Sequence, residues 1–182
     1  MFLQRWLKPG PARTAGARLY AAVVAQSRTP ALYARLGAPD TPDGRFEVYT
    51  LHVLMVLARL KGEGPRAAAA SQALFDAYLS GLDHGLRELA VGDLSVGKTM
   101  RKLGEAFYGR ARALEDALAA LPDRGPLEDL LRRTVLGGES AGPGGPHDPG
   151  ALADYVLRRR AELAATPVER VLGGEIGSPA PV

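Results

Sequence analysis

On both sides of residues 92–99 the apolar residues recur at three- and four-residue steps, a spacing that specifies amphipathic helices. Upstream the stripe is Leu74/Phe75, Tyr78/Leu79, Leu82, Leu86 and Leu89; downstream it is Val96, Met100, Leu103, Phe107, Leu114, Leu118 and Leu121. Between them, Gly92-Asp93-Leu94-Ser95-Val96-Gly97-Lys98-Thr99 matches the phosphate-loop pattern G-x-x-x-x-G-K-[ST] at every fixed position. A phosphate loop needs a buried strand before its first glycine, so that backbone amides can surround the phosphates. Here a helix precedes it. The octapeptide therefore reads as the turn of a helix–turn–helix.

The remaining pattern extends the same conclusion to the whole chain. Its 182 residues suffice for one well-buried core but not comfortably for two. Few aromatics and abundant alanine, leucine and arginine favour helices, and no alternating strand pattern is visible. The predicted fold is an all-α, single-domain bundle of about six to eight helices. With no cysteine, neither a disulfide framework nor a thiolate zinc site can form. No apolar run reaches the roughly 18 residues of a membrane span. The N-terminus lacks a signal-peptide pattern, so the chain is expected to stay inside the cell.

A basic, amphipathic segment opens the chain over residues 1–14. Phe2, Leu3, Trp6 and Leu7 share one helical face with Arg5 and Lys8 beside them, a composition suited to a membrane interface. Folding back onto the core, or disorder, are the other outcomes for such a terminus. Residues 15–136 form the expected helical core. Within it, the helix from about Arg45 to Lys61 is the most apolar and should be central. The next helix carries Gly81 and Gly85, each costing about 1 kcal/mol against alanine. Close approach of a neighbouring helix or ligand accounts for such a pair, and so does a kink. Residues 137–150 are a Gly/Pro-rich loop, residues 151–173 hold C-terminal helices packing on the core with Arg158-Arg159-Arg160 toward the outside, and residues 174–182 form a disordered tail.

Enzyme chemistry finds little support. The octapeptide is similar to the phosphate loop of small GTPases, but that family also needs N-K-x-D and D-x-x-G elements. This chain has no asparagine and no D-x-x-G. The three histidines lack metal-site spacing, and His52 in the apolar helix reads as a hydrogen-bonded core histidine. No metal or cofactor is implied. The net charge of +3 is too small to argue for nucleic acid, and DNA is not an expected partner. Lys98, Arg101 and Lys102 at the start of a helix are either a solvated face or a grip for an acidic partner or lipid headgroup.

Several longer segments are distinctive. They are Tyr33 to Glu47 (YARLGAPDTPDGRFE), Leu51-His52, Ser71 to Tyr78 (SQALFDAY), Leu86 to Lys98 (LRELAVGDLSVGK) and Phe107-Tyr108-Gly109-Arg110. In order and spacing they resemble the ubiquinol–cytochrome c chaperone family over roughly residues 15–121. The tail after Pro122 resembles nothing comparable. The resemblance implies a non-enzymatic, all-helical assembly factor for ubiquinol–cytochrome c reductase, whose client is newly made cytochrome b. Mitochondrial relatives also associate with the ribosome, and for a bacterial member the resemblance implies a cytoplasmic protein peripheral to the inner membrane. A generic helical adaptor on membrane or ribosome with another client is the alternative, and a P-loop enzyme the third reading. Surfaces expected to meet a client or partner are Asp40, Arg45 and Phe46, then Tyr78, Gly81 and Gly85, then Lys98, Arg101 and Lys102.

Overall fold

Proline marks where the helices begin. In the computed structural model, which describes residues 10–88, 93–138 and 147–177, helices α1 (Pro11–Ser27), α2 (Pro30–Ala34), α3 (Pro42–Leu60), α4 (Pro65–Glu88) and α7 (Pro149–Ala165) each start on one. The first turn of a helix has no use for that residue's missing N–H, and its fixed φ is already helical. Pro126 is the second residue of α6 (Gly125–Arg133), and Pro167 precedes α8 (Val168–Leu172). α5 spans Asp93–Ala119. Among the described residues there is no strand, and the bundle is all-α as the periodicity predicts.

Caps fix several of these starts. The Thr41 hydroxyl accepts from the Gly44 N–H at 3.1 Å, and the Asp148 carboxylate accepts from the Gly150 N–H at 2.8 Å. Gly37 has φ +75°, the left-handed conformation that ends α2, and the His147 backbone lies against it where a side chain would otherwise stand.

α3 is the central helix. Val48, Thr50, Leu51, His52, Val53, Leu54, Met55, Val56 and Leu60 are all buried, and α1, α4, α5 and α7 pack around it. α6 lies against α5 and α7, while α8 rests on α1 and α4. The most extensive contact is between α1 and α4. There Gly16 brings the two backbones together: a Cβ at that position would lie 2.5 Å from Ala73 Cβ and 2.7 Å from the Ala73 carbonyl carbon. Gly81 faces the same helix, and its missing side chain makes room for the Tyr20 hydroxyl. Gly85 touches nothing within 4 Å. The glycine pair thus divides, with close approach at one member and open space at the other.

Two expectations for the C-terminal region are corrected. Arg159 does not face solvent; it is 1% exposed. Its guanidinium donates to Glu162, to the Ile176 carbonyl and, at 2.9 Å, to Gln26 Oε1. Gln26 Nε2 donates in turn to the carbonyls of Ile176 (3.2 Å) and Gly177 (2.7 Å). A buried guanidinium must have its donors met. The backbone of residues 176–177 supplies acceptors, so this part of the expected disordered tail is held against α1 and α7. Residues 1–9, 139–146 and 178–182 lie outside the described residues, and with them the candidate membrane residues Phe2, Leu3, Trp6, Leu7 and Lys8.

The glycine contacts predict opposite signs for one substitution. Gly16→Ala should destabilise by about 1–3 kcal/mol, because overpacking at a backbone contact outweighs the gain in helix propensity. Gly85→Ala should stabilise by up to about 1 kcal/mol. Urea unfolding monitored by circular dichroism measures both.

Candidate functional site

Four polar residues of α3 reach three neighbouring helices. Glu47 receives a fork from Arg110 of α5, with Nε at 3.0 Å and Nη2 at 2.6 Å. Thr50 Oγ1 lies 2.8 Å from the Tyr78 hydroxyl of α4. His52 Nδ1 is 2.7 Å from the Val48 carbonyl, and its Nε2 is 2.7 Å from the Tyr155 hydroxyl of α7. A carbonyl can only accept, so Nδ1 carries the proton and Tyr155 donates to Nε2. Arg59 near the end of α3 donates to the carbonyls of Leu163 (2.8 Å) and Thr166 (3.1 Å) at the end of α7. Burial holds His52 neutral, lowering its pKa to about 4 against the help of the Val48 carbonyl, with Arg159 adding to the depression. Burial likewise pushes the Tyr78 and Tyr155 phenols up to about 12.

Held this way, α4, α5 and α7 leave an apolar groove over the C-terminal half of α3. It encloses about 1030 Å³, slightly more than the roughly 300–1,000 Å³ of ordinary ligand clefts, and is half open to solvent. Leu54, Leu57 and Ala58 belong to its α3 side. Ala68, Ser71 and Phe75 come from α4, and Phe107, Tyr108, Ala111, Leu114 and Leu118 from α5. Val156, Leu157, Ala161 and Ala164 of α7 complete it. Phe75, Phe107 and Tyr108 form one aromatic cluster: Phe75 and Phe107 centroids are 4.9 Å apart, and Phe107 meets Tyr108 edge-on at 5.8 Å. Charge is confined to a few lining residues. Lys61 and Glu115 pair at 2.6 Å, Arg59 is engaged as above, and Arg160 is exposed. Such a groove can accept an apolar side-chain row, in the manner of a helix laid into a groove.

None of the surface residues singled out from sequence lines it. Tyr78 is 0% exposed and supports the aromatic cluster from behind, its centroid 5.2 Å from that of Phe107. Asp40 and Arg45 pair with each other at 2.6 Å, closing the turn before α3, and the Arg45 hydrogen bond lowers the Asp40 pKa. Phe46 is half-buried against the core. Lys98, Arg101 and Lys102 are exposed together near the start of α5. Because α5 is already helical at Asp93, amides from Gly97 onward belong to the helical ladder and cannot surround a phosphate. Gly92 lies outside the described residues.

Sequence reasoning missed Leu57, Tyr108 and Leu157 as lining residues. Each stands one position beside a buried stripe, next to Val56, Phe107 and Val156. An apolar residue turned that far off the stripe was the available signal.

The state of His52 gives a pH dependence. Between about pH 6.5 and 4 the unfolded chain takes up a proton that the native site refuses, so stability is complete above that window and falls through it on acidification. The full loss is about 3 kcal/mol. The imidazole resonances should remain those of neutral histidine at pH 5, and His52→Gln should flatten the slope of unfolding free energy across the window.

Comparison with known proteins agrees with this architecture. No curated protein sequence matches the chain. It is similar to the crystal structure of the Cbp3 homolog from Brucella abortus, with 36% identity, a TM-score of 0.80 and coverage of 96% of this chain and 94% of that one. The family model described as ubiquinol-cytochrome C chaperone matches residues 34–178. That match runs well past Pro122, where the segments legible in the sequence stop, and so includes α6, α7 and α8. The chain belongs to the ubiquinol–cytochrome c chaperone family.

Proposed function

We propose that this protein is a non-enzymatic assembly chaperone of ubiquinol–cytochrome c reductase that holds an apolar segment of newly made cytochrome b in the groove between α3, α4, α5 and α7. The observation carrying this reading is the half-open apolar groove with its Phe75, Phe107 and Tyr108 cluster, present in a chain of this family. A membrane-protein segment outside the bilayer exposes apolar side chains to water, and covering them is worth about 25 cal/mol per Å². The groove offers such a cover without demanding a particular sequence, since aromatic rings and short alanines present an apolar surface with few hydrogen-bonding groups to select one. Work of this kind belongs on the cytoplasmic side of the inner membrane, with the protein peripheral to it. No helix among the described residues is long and apolar enough to cross a membrane.

Genetic replacement tests the client, and groove variants test the site. A strain lacking the gene should lose haem-stained cytochrome b of the complex; normal levels would refute the reading. Leu57→Glu with Leu157→Glu places two carboxylates in the groove. A buried leucine contact is worth about 1.5–3 kcal/mol, so client affinity should fall at least roughly tenfold. Cytochrome b should then approach the level of the deletion strain while circular dichroism of the variant is unchanged. Full complementation by the folded double variant would remove the groove from the mechanism.

A further inference from the structure

We propose that the exposed face of α5 from Lys98 to Arg112 docks this protein on an anionic lipid surface and thereby sets the mouth of the groove against the bilayer. The inference rests on the reading of the protein as a peripheral membrane chaperone, and assigns the face that makes the contact.

Lys98, Arg101, Glu105, Tyr108 and Arg112 follow one another at steps of three and four, so they form a single stripe about 21 Å long, with Lys102 beside it. Lys98, Arg101 and Lys102 are all exposed, and no ion pair joins them to a carboxylate among the described residues. Glu105 is the single acid between Val96 and Arg112. Arg112 reaches Asp116 only at 3.9 Å, with both side chains largely in solvent. Arg110, in contrast, turns inward to Glu47 and belongs to the fold. The N-terminal end of a helix favours acids over bases, so three cations in this half gain nothing from the helix itself. Their charge is therefore available to an external anion.

Tyr108 identifies the kind of anion. It is 65% exposed, the one large hydrophobic residue so exposed among those described, and it stands on the basic stripe. A ring with a polar tip beside lysine and arginine suits the headgroup level of a bilayer, where the ring meets the acyl boundary and the cations meet phosphate. The surface around it is also low. Gly97 and Gly109 are exposed on this side of α5, and a Cβ at either would meet nothing within 4 Å. A broad plane can therefore approach the helix closely. Tyr108 also lines the groove, so lipid contact through this ring brings the groove to the level at which an apolar client segment leaves the membrane.

Flotation of the full chain with vesicles tests the assignment. The protein should float with vesicles of phosphatidylcholine and phosphatidylglycerol and not with phosphatidylcholine alone. The triple change Lys98→Gln, Arg101→Gln, Lys102→Gln should weaken partitioning roughly 100-fold, at about a fivefold factor per cation. Tyr108→Ser should give a smaller loss that persists at high salt. Changing Arg13, Arg18 and Arg158 to Gln removes the same charge elsewhere and should have little effect. Unaltered flotation of the triple α5 variant overturns the proposal, as does an equal loss in the control triple. Flotation that survives in the α5 variant and vanishes only when residues 1–9 are removed assigns the contact to that segment and also overturns it. Binding to polyglutamate without binding to anionic vesicles would indicate an acidic protein partner instead. Leu57→Gln with Leu157→Gln, which alters the groove without adding charge, should float like the unaltered chain, and the α5 variant should still bind detergent-solubilised client, which separates this proposal from the reading of the groove.

Discussion

The packing around α3 is set by four of its polar side chains that have partners on other helices, whereas the buried Tyr49 hydroxyl has none among the described residues. Glu47, Thr50, His52 and Arg59 each find theirs on a neighbour: α5, α4, α7 and the end of α7. An unmet buried donor or acceptor costs about 1–3 kcal/mol, whereas apolar contacts tolerate small slides. The polar contacts therefore fix which helix lies where along α3, and the leucines and valines supply the bulk of the burial around them. Removing Glu47 would leave the half-buried Arg110 without its fork, and the angle of α5 would no longer be specified.

The groove is a consequence of that arrangement. The polar contacts to α5 and α4 lie at Glu47 and Thr50, in the first half of α3, and those to α7 lie at His52 and Arg59. Between His52 and Arg59 α3 carries only apolar residues, and the neighbouring helices do not close over this stretch. On the opposite side, Gly16 and Gly81 let α1 reach α4 with no space between. The molecule thus has one side packed at backbone contact and another where an apolar surface remains partly uncovered.

Much of the fold was legible because it depends on local rules. Apolar spacing at three- and four-residue steps gave the helices, and an apolar helix containing a histidine gave both the centre and a buried imidazole. Arg159 shows where that reading failed although the pattern held the answer. Leu152, Tyr155, Val156, Arg159 and Leu163 form one continuous buried stripe, but three consecutive arginines suggest a charged exterior. The carbonyl of Ile176 and the amide of Gln26, distant in sequence, join the nearby Glu162 carboxylate in making a guanidinium tolerable there. The groove was less legible still, since it is a space between four helices. Leu57, Tyr108 and Leu157 acquire meaning from what fails to cover them.

The Lys61–Glu115 pair has a mechanical consequence. It joins the end of α3 to α5, and both residues border the groove with side chains 71% and 68% exposed. Ions that keep most of their hydration lose little when they separate. One edge of the recess is therefore fastened by a clasp that water can undo, while the aromatic cluster and the backbone contacts behind it hold their shape. A client segment held there as proposed, and longer than the recess, would thread out past that clasp without prising the scaffold apart.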